Sequence, residues 1–214
     1  MSLVELLTES QGKQSVSGSV YGVVIGIVSS IDDPDGLGRV RVKYPWLHDK
    51  SESPWARVVS FMAGQDRGAV FRPELEDEVL IMFEHGDMRV PYIIGSLWNG
   101  KDTIPGKKGE DADNNVRFIK SRSGHLIILD DTEGSEKIEV IDKGGNNKIV
   151  IQEKSIEISS SKDITISAPS GKITLDADQL EIKSTSTATF TAGGSMDVKT
   201  DLTMNIEGAT VNIN

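Results

Sequence analysis

Few residues of this chain are suited to chemistry, and their spacing fits neither catalysis nor metal binding. Among its 214 residues there is no cysteine, which excludes disulfides, thiolate ligands and cysteine nucleophiles. The three histidines, His48, His85 and His125, lack the spacing of a metal site. The stretch Asp33-Pro34-Asp35-Gly36 shares residue types with a calcium loop. It lacks the alternating ligands and the late glutamate, so a plain turn is favoured.

Clustered carboxylates offer the other possible chemistry. Glu74, Glu76, Asp77 and Glu78 stand together before a predicted strand. Glycoside hydrolysis needs two carboxylates placed in a cleft, so a solvated acidic loop is the better interpretation. The sequence contains no nucleophile elbow, phosphate-binding loop or dinucleotide-binding motif. We therefore expect a protein that is not an enzyme and that uses no cofactor or metal. A β-helical polysaccharide-degrading enzyme is the alternative.

The charge of the chain bears on nucleic-acid binding. With 23 Lys+Arg against 33 Asp+Glu, the formal net charge is −10, whereas phosphate binding needs clustered basic residues. Trp46 and Trp55 could stack on the bases of a single strand. Packing of these rings in a core or an interface is the simpler interpretation. We expect no nucleic-acid partner, and an oligonucleotide-binding module stays the second alternative.

The elements that must position these residues fall into two unlike parts. Nine of the eleven aromatic residues and six of the seven prolines precede residue 106. We expect a tether or docking segment over residues 1–19, a barrel domain over 20–100, a linker over 101–115 and a repetitive segment over 116–214. The tether begins with the apolar residues of a short amphipathic helix, which either docks locally or holds a neighbouring subunit: Leu3, Val4, Leu6 and Leu7.

The barrel domain is predicted from five short strands joined by polar turns: Tyr21–Ile31, Arg39–Tyr44, Trp55–Phe61, Glu78–Glu84 and Pro91–Leu97. Alternation in the second strand points Val40 and Val42 at a core. The continuous apolar run from Val79 to Phe83 predicts a strand covered on both faces. Five short strands without a long helix indicate an all-β Greek-key barrel, of which the OB-fold is the common five-stranded case.

A series of short motifs runs through residues 33–99 in a fixed order. They are Asp33-Pro34-Asp35-Gly36-Leu37-Gly38-Arg39-Val40-Arg41-Val42, Trp46, Trp55-Ala56-Arg57-Val58, Ala63-Gly64, Gly68, Phe71-Arg72-Pro73, Asp77-Glu78-Val79, Phe83, Gly86-Asp87, Arg89-Val90-Pro91 and Gly95-Ser96-Leu97-Trp98-Asn99. This series resembles the OB-fold of VgrG-type and phage baseplate assembly protein V-type central spike proteins, which belong to contractile injection systems. Glu76 departs from that pattern, because the family usually has glycine there, and we expect a local change in a turn.

After residue 116 the sequence becomes a repeat of apolar doublets, in which two apolar residues flank one other residue. The doublets are Ile138/Val140, Ile149/Ile151, Ile156/Ile158, Ile164/Ile166, Ile173/Leu175, Leu180/Ile182, Ala188/Phe190, Met196/Val198, Met204/Ile206 and Val211/Ile213. From Ile156 onwards the first members recur about every eight residues, which indicates a repeat architecture. The two side chains of a doublet share one face of a strand.

One octad buries about 3–6 kcal/mol of apolar side chain at best, which is less than fixing its backbone costs. Closing a prism solves this, either as a β-helix of one chain or with three chains that each supply one face. The trimer is favoured because it leaves no lateral edges, and the resembling family carries an intertwined triple-stranded β-helix after its OB-fold. The predicted trimer-axis residues are Ile156, Ile158, Ile164, Ile166, Ile173, Leu175, Leu180, Ile182, Phe190, Met196, Val198, Met204 and Ile206.

The resemblance implies a homotrimeric central spike at the tip of a phage tail, type VI-like or extracellular injection tube. Such a spike pierces the target cell envelope after assembly in the cytoplasm of the producing cell, and the sequence shows no signal peptide. A separate hub protein is expected to contact the four apolar residues of the tether. A PAAR-type tip protein is expected to cover the last residues, namely Thr210, Val211, Asn212, Ile213 and Asn214.

Overall fold

A computed structural model describes residues 19–47, 52–105 and 113–212 of the chain. The protein is all-β, as predicted, and the trimeric β-helix of that fold class stays a prediction. It divides into two units at residues 161 and 162. The first unit holds two five-stranded sheets and a two-stranded hairpin. Within the described residues, no helix is long and apolar enough to span a membrane.

The first sheet is curled into a barrel whose edges meet. The strands up to residue 100 are β1 (Val23–Ser30), β2 (Arg41–Lys43), β3 (Arg57–Val58), β4 (Ala63–Gly64), β5 (Arg67–Gly68), β6 (Glu78–Phe83) and β7 (Pro91–Ser96). The curled sheet has the order β2-β1-β6-β7-β3, with β3 parallel to β7. Two backbone hydrogen bonds between Val40 and Ala56, of 2.8 and 3.0 Å, join the β2 edge to the β3 edge. All five predicted strands are confirmed.

Inside this barrel lies the core of the first unit. Val40 and Val42 are fully buried, as their alternation predicts. The expectation that the strand from Val79 to Phe83 is covered on both faces is wrong, because Met82 is 45% exposed. Only alternate residues of that strand point into the barrel. The buried core residues are Val28, Val40, Val42, Tyr44, Ala56, Val79, Ile81, Phe83 and Ile93.

The turn after β1 is held by one carboxylate. The Asp33 side chain accepts hydrogen bonds from the backbone N–H groups of Asp35, Leu37 and Arg39 at 3.0–3.2 Å. It also accepts two bonds from the Arg39 guanidinium, at 3.0 and 2.6 Å. The Gly36 N–H bonds to the Asp33 carbonyl, with Gly36 in the left-handed region at φ +66°. The stretch is therefore a plain turn whose carboxylate is already used.

A hairpin that the sequence pattern does not indicate lies between β3 and β6. Strands β4 and β5 pair antiparallel, and Asp66 at the tip has φ +53°. The pairing continues outward through the Ala69 N–H and the Ser60 hydroxyl, which bond to the carbonyls of Met62 and Ala69 respectively. We call residues 59–71 the arm.

The second sheet is an antiparallel meander. Its strands are β8 (Val116–Lys120), β9 (Leu126–Asp130), β10 (Lys137–Ile141), β11 (Lys148–Gln152) and β12 (Ser155–Ser159). They lie side by side in chain order. The sequence pattern predicts one repetitive segment over 116–214 and does not indicate this division. Among the described residues 162–212 of the second unit, no strand is assigned.

Glu76 occupies a strained turn before β6. Its φ is +71°, a region that costs a residue with a side chain about 1–2 kcal/mol. Its N–H nevertheless bonds to the Val28 carbonyl at 2.9 Å, which holds the turn against β1. The local change expected at Glu76 is thus a positive φ, at which the glycine that is usual in the family would be favoured.

Replacing Glu76 by glycine is expected to stabilise the barrel by about 1 kcal/mol, because glycine adopts this φ without the steric penalty. Urea unfolding followed by tryptophan fluorescence measures the effect, since all three tryptophans lie at or before Trp98. Glu76→Ala is the control, because it removes the carboxylate and keeps the strain. Equal stability of the glycine and alanine variants would show that the backbone is not strained here.

Asp33→Asn is expected to weaken the same barrel in a pH-dependent way. The side-chain hydrogen bond from Arg39 is the main cause that holds the pKa of Asp33 well below its usual range. A carboxyl whose pKa is lower in the folded chain than in the unfolded chain stabilises the fold when the pH lies above the unfolded value of about 4. This stabilisation is lost as the pH falls below that value. The urea midpoint should therefore differ between variant and wild type at pH 5–8, and the difference should shrink below about pH 4. Asp32→Asn, one residue earlier and exposed, should show no such gap at any pH.

Candidate assembly interface

One face of the second sheet is almost entirely aliphatic. The strand register places ten side chains on this face in two rows. The first row is Arg117, Leu129, Ile138, Ile151 and Ile156, and the second row is Ile119, Ile127, Val140, Ile149 and Ile158. Nine of the ten are Ile, Leu or Val, and each of the nine is between 39% and 70% exposed. We call these nine the aliphatic face.

The opposite face of the sheet carries the charges. Lys137 lies 3.3 Å from Glu139, and Lys148 lies 3.4 Å from Glu157. Val150 is buried in the middle of this face. The reverse face is mixed, because it also carries the apolar side chains of Val116, Phe118, Leu126, Ile128 and Ile141. The two faces therefore differ in charge: the aliphatic rows include a single charged residue, Arg117, whereas the reverse face combines charged and apolar side chains.

The aliphatic face is larger than the apolar patch that a monomeric protein usually exposes. Nine half-exposed side chains present roughly 700 Å² of apolar area, whereas the largest apolar patch of a typical monomer is about 300–600 Å². The face also continues across all five strands without a charged interruption, since Arg117 lies in β8 at the sheet edge. A surface of this kind marks a site where another protein surface packs.

Arg117 is the single charged side chain among the ten, and it is paired. Its guanidinium donates to the Asp131 carboxylate at 2.7 Å and to the Asn115 carbonyl at 3.3 Å. Both partners lie beyond the ends of the strands, so the charge is directed away from the aliphatic rows. The rim of the face is thereby polar, as in protein interfaces generally.

Carboxylates hold the turns that keep the sheet in register. The hydroxyl and N–H of Thr132 donate to Asp130 and lower its pKa. The N–H groups of Asn147 and Gly144 donate to Asp142, at 2.7 and 3.1 Å, and lower its pKa as well. These acids act in the geometry of the turns and not in a cleft.

The predicted trimer-axis residues lie on two parts of the chain. Ile156 and Ile158 belong to the aliphatic face, as the doublet pattern predicts for a shared strand face. The other eleven, from Ile164 to Ile206, are each between 45% and 71% exposed in the second unit. The structure does not bring these eleven together within one chain. What covers them is therefore a question of assembly.

The ends of the chain carry the remaining predicted contacts. Thr210, Val211 and Asn212 are exposed. Ile213 and Asn214 of the predicted tip contact lie outside the described residues. The four residues of the predicted hub contact, Leu3, Val4, Leu6 and Leu7, also lie outside them.

Three members of the aliphatic face, Ile119, Ile127 and Leu129, are absent from the predicted doublets. Two of them could have been found from the sequence, because Ile127 and Leu129 have the spacing of a doublet. This doublet lies before the regular octads and was therefore not included with them. Ile119 has no such partner, since Arg117 takes the other position in β8.

The histidines, which are candidates for chemistry by residue type, contribute to local structure where they are described. His85 lies in a 3₁₀ turn over Glu84–Gly86, and His125 accepts the N–H of Lys143 on Nδ1. His48 lies outside the described residues. In the parts of the chain that the structure describes, no group of three or more His, Cys, Asp or Glu side chains could hold a metal ion.

The acidic cluster before β6 is likewise engaged. Glu74 accepts a hydrogen bond from Arg122 at 2.8 Å. Asp77 accepts the N–H of Glu74 at 2.8 Å, and Glu78 accepts the Asn99 amide at 3.1 Å. These contacts fix the turn and the base of the second sheet and do not form a pair of opposed carboxylates.

Trp55 does not present a free stacking surface. The Arg41 guanidinium lies 4.7 Å from the centre of its ring, and that of Arg39 lies at 5.8 Å. Both arginines also have acidic partners, since Arg39 binds Asp33 and Arg41 lies 3.5 Å from Glu52. Cation–π contacts occupy the ring that an oligonucleotide base would need.

Comparisons with known proteins agree with the barrel and with the resemblance. Residues 24–98 match the family described as the type VI secretion system/phage-baseplate injector OB domain. The chain is 28% identical over 153 residues to the type VI secretion system spike protein VgrG1a of Pseudomonas aeruginosa, covering 67% of this chain and 24% of that protein. It is 30% identical over 133 residues to VgrG1c of the same organism, covering 58% and 18%.

A third relative extends the match along most of the chain. The actin cross-linking toxin VgrG1 of Vibrio cholerae is 24% identical over 199 residues, covering 90% of this chain and 17% of that protein. The chain spans about a quarter or less of the length of these curated relatives. The resemblance to VgrG-type spike proteins is confirmed.

Proposed function

We propose that this chain, whose residues 24–98 carry the OB domain of type VI secretion systems and phage baseplates, is the central spike of a contractile injection system. The observation that carries the proposal is the aliphatic face, nine exposed Ile, Leu and Val side chains on one side of one sheet. A spike of three such chains gives each face a partner.

Three copies would bury the aliphatic faces and pair the open edges of the sheets at the same time. Each meander is an open sheet with β8 and β12 at its edges. Placing three sheets as the walls of a prism turns every aliphatic face inward and sets the β12 edge of one copy beside the β8 edge of the next. Two flat sheets stacked face to face would bury the faces but leave four open edges.

The doublets beyond residue 161 pose the same burial problem. Ile156 and Ile158 lie on the aliphatic face, and the doublets at Ile164/Ile166 and onwards repeat their spacing. In one chain the side chains of the second unit are exposed, so three chains winding round a common axis would bury them. Inter-chain backbone hydrogen bonds would then give the shaft its stiffness.

Mechanical piercing of the target envelope is the function that such a shaft suits. The OB domains would form the collar, and the prism would form the shaft that sheath contraction drives forward. Assembly in the cytoplasm of the producing cell, a hub protein at the collar and a PAAR-type protein at the tip follow from the resemblance. The proposed tip contact is Thr210–Asn214.

The contacts of the candidate chemical residues argue against the two alternatives. A polysaccharide-degrading enzyme needs opposed carboxylates in a cleft, whereas Glu74, Asp77 and Glu78 are engaged by Arg122, a backbone N–H and Asn99. An oligonucleotide-binding module needs open aromatic rings along a basic groove. Trp55 is stacked against Arg39 and Arg41, and the exposed Trp46 lies 5.6 Å from the Tyr44 ring in a chain whose net charge is −10. A non-enzymatic structural role is therefore the function we propose.

Light scattering of the purified chain coupled to size exclusion should give three times the chain mass of 23.2 kDa. Ile164→Asp and Met204→Asp should each reduce the trimer fraction strongly, because both bury a charge at the axis. Thr165→Asp and Asn205→Asp are matched controls, since these residues lie between the doublet members and point away from the axis. A folded monomer in the wild type would overturn the proposal, as would equal effects of the two pairs of variants.

A further inference from the structure

Two exposed apolar patches of the OB domain have no role in the shaft. The first is on the arm, where Phe61 and Val70 are 84% and 82% exposed. The Phe61 and Phe71 rings lie 6.3 Å apart. The only charged residues of the arm, Asp66 and Arg67, have opposite signs and sit at its tip. The members of this arm patch are Val59, Phe61, Met62, Val70 and Phe71.

The second patch lies on the outside of the barrel. The register pairs Val23 with Met82 and Ile25 with Leu80, so these four side chains share one face of β1 and β6. Their alternate neighbours Val79, Ile81 and Phe83 fill the core on the other side. We call Val23, Ile25, Leu80 and Met82 the barrel patch.

A glycine leaves a shallow space at the border of the barrel patch. Gly95 of β7 pairs with Leu80, and a Cβ placed there would meet no atom within 4 Å. The row Ile25–Leu80–Gly95 therefore ends in open space where another strand residue would carry a side chain. This space can admit an aromatic side chain from another molecule.

The arm is an unusual element to leave uncovered. A two-stranded hairpin is at best marginally stable in water by itself. Here it is held in place by its own hydrogen bonds and by the Val59 N–H, which bonds to the Ile93 carbonyl at 2.9 Å. Its apolar side chains face solvent in the single chain, so packing against another surface would add the stability that the hairpin lacks.

We propose that the arm patch of each copy packs on the barrel patch of the next copy, in a closed ring of three OB domains. The inference rests on the proposed trimer. Two different patches on one chain are what a head-to-tail contact requires, and a three-fold rotation closes such a contact into a ring. A partner bound to one patch alone would leave the other exposed.

The areas agree with this arrangement. The five arm side chains present roughly 600 Å² and the barrel patch roughly 400 Å², so each contact would bury on the order of 1,000 Å² in total, near the lower limit for a specific interface. A contact of this size is weak by itself. It is sufficient as one of three in a ring whose members are already joined through their shafts.

The chain has no cysteine, so single cysteines can be placed without a background. Met62 of the arm and Met82 of the barrel patch are exposed to 48% and 45%, and Met→Cys changes little else at either position. We would co-express Met62→Cys and Met82→Cys chains and treat the assembled protein with a short bis-maleimide. Covalent dimers are expected only when both variants are present, because the contact joins unlike patches.

Each single variant alone should give no covalent dimer. Dimers from one variant alone would mean that like patches meet, which overturns the head-to-tail contact. A trimer by light scattering that gives no cross-link in the mixture would overturn the arm contact and leave the proposed spike intact. A monomer by light scattering would overturn both.

Substitutions at the two patches provide a second measurement. Gly95→Glu should lower the Tm of trimer dissociation, because the new side chain fills the space into which the neighbour's arm packs. Gly100→Glu is the matched control, since a Cβ at Gly100 also meets no atom within 4 Å. In the same way Phe61→Ser should lower this Tm, whereas Leu37→Ser, at a residue that is 70% exposed and belongs to neither patch, should leave it unchanged. Equal shifts within each pair would overturn the contact.

Discussion

The organisation of this protein depends on the narrow width of its apolar doublets. A strand with two apolar residues on one face has too little surface to form a core with its own neighbours alone. The meander collects four such strands, β9 to β12, into one sheet with β8, which adds Ile119, yet the nine aliphatic side chains are still exposed. Lateral addition of strands enlarges the apolar face without covering it. Only a surface facing the sheet can do that.

The barrel shows how the same chain behaves when it supplies its own cover. Its curled sheet brings inward-facing residues of all five strands together, and Val28, Val40, Val42, Val79 and Ile81 are fully buried. Large rings complete this small core, since Tyr44 and Phe83 lie 6.0 Å apart. The aromatic residues are concentrated before residue 106 for this reason. The repetitive part needs side chains that stack in register, for which β-branched residues suit better than rings.

Sequence patterns predicted the elements whose side chains alternate and missed those set by the backbone. The five barrel strands followed from short apolar stretches between polar turns, and the burial of Val40 and Val42 followed from period-two alternation. The β4–β5 hairpin did not, because Ala63, Gly64 and Gly68 give no apolar alternation and its tip depends on the positive φ of Asp66. The continuous apolar run from Val79 to Phe83 wrongly predicted a strand covered on both faces, because the sequence does not distinguish an exposed Met82 from a buried one. The doublets located most of the aliphatic face, but no local pattern says which sheet or which chain covers it.

The two faces of the second sheet differ in the charge that they carry. Lys137–Glu139 and Lys148–Glu157 lie on the face opposite the doublets, where burying them would leave charges without water. Asp130 and Asp142 are hydrogen-bonded within turns at the ends of the strands, so their charge also remains at the rim. The charges of the reverse face are thus paired within the single chain, whereas the nine aliphatic side chains remain exposed there. Ile156 and Ile158 lie in the last strand of this sheet and also begin the regular octads of the sequence, so the aliphatic face and the repeat of doublets share these two residues.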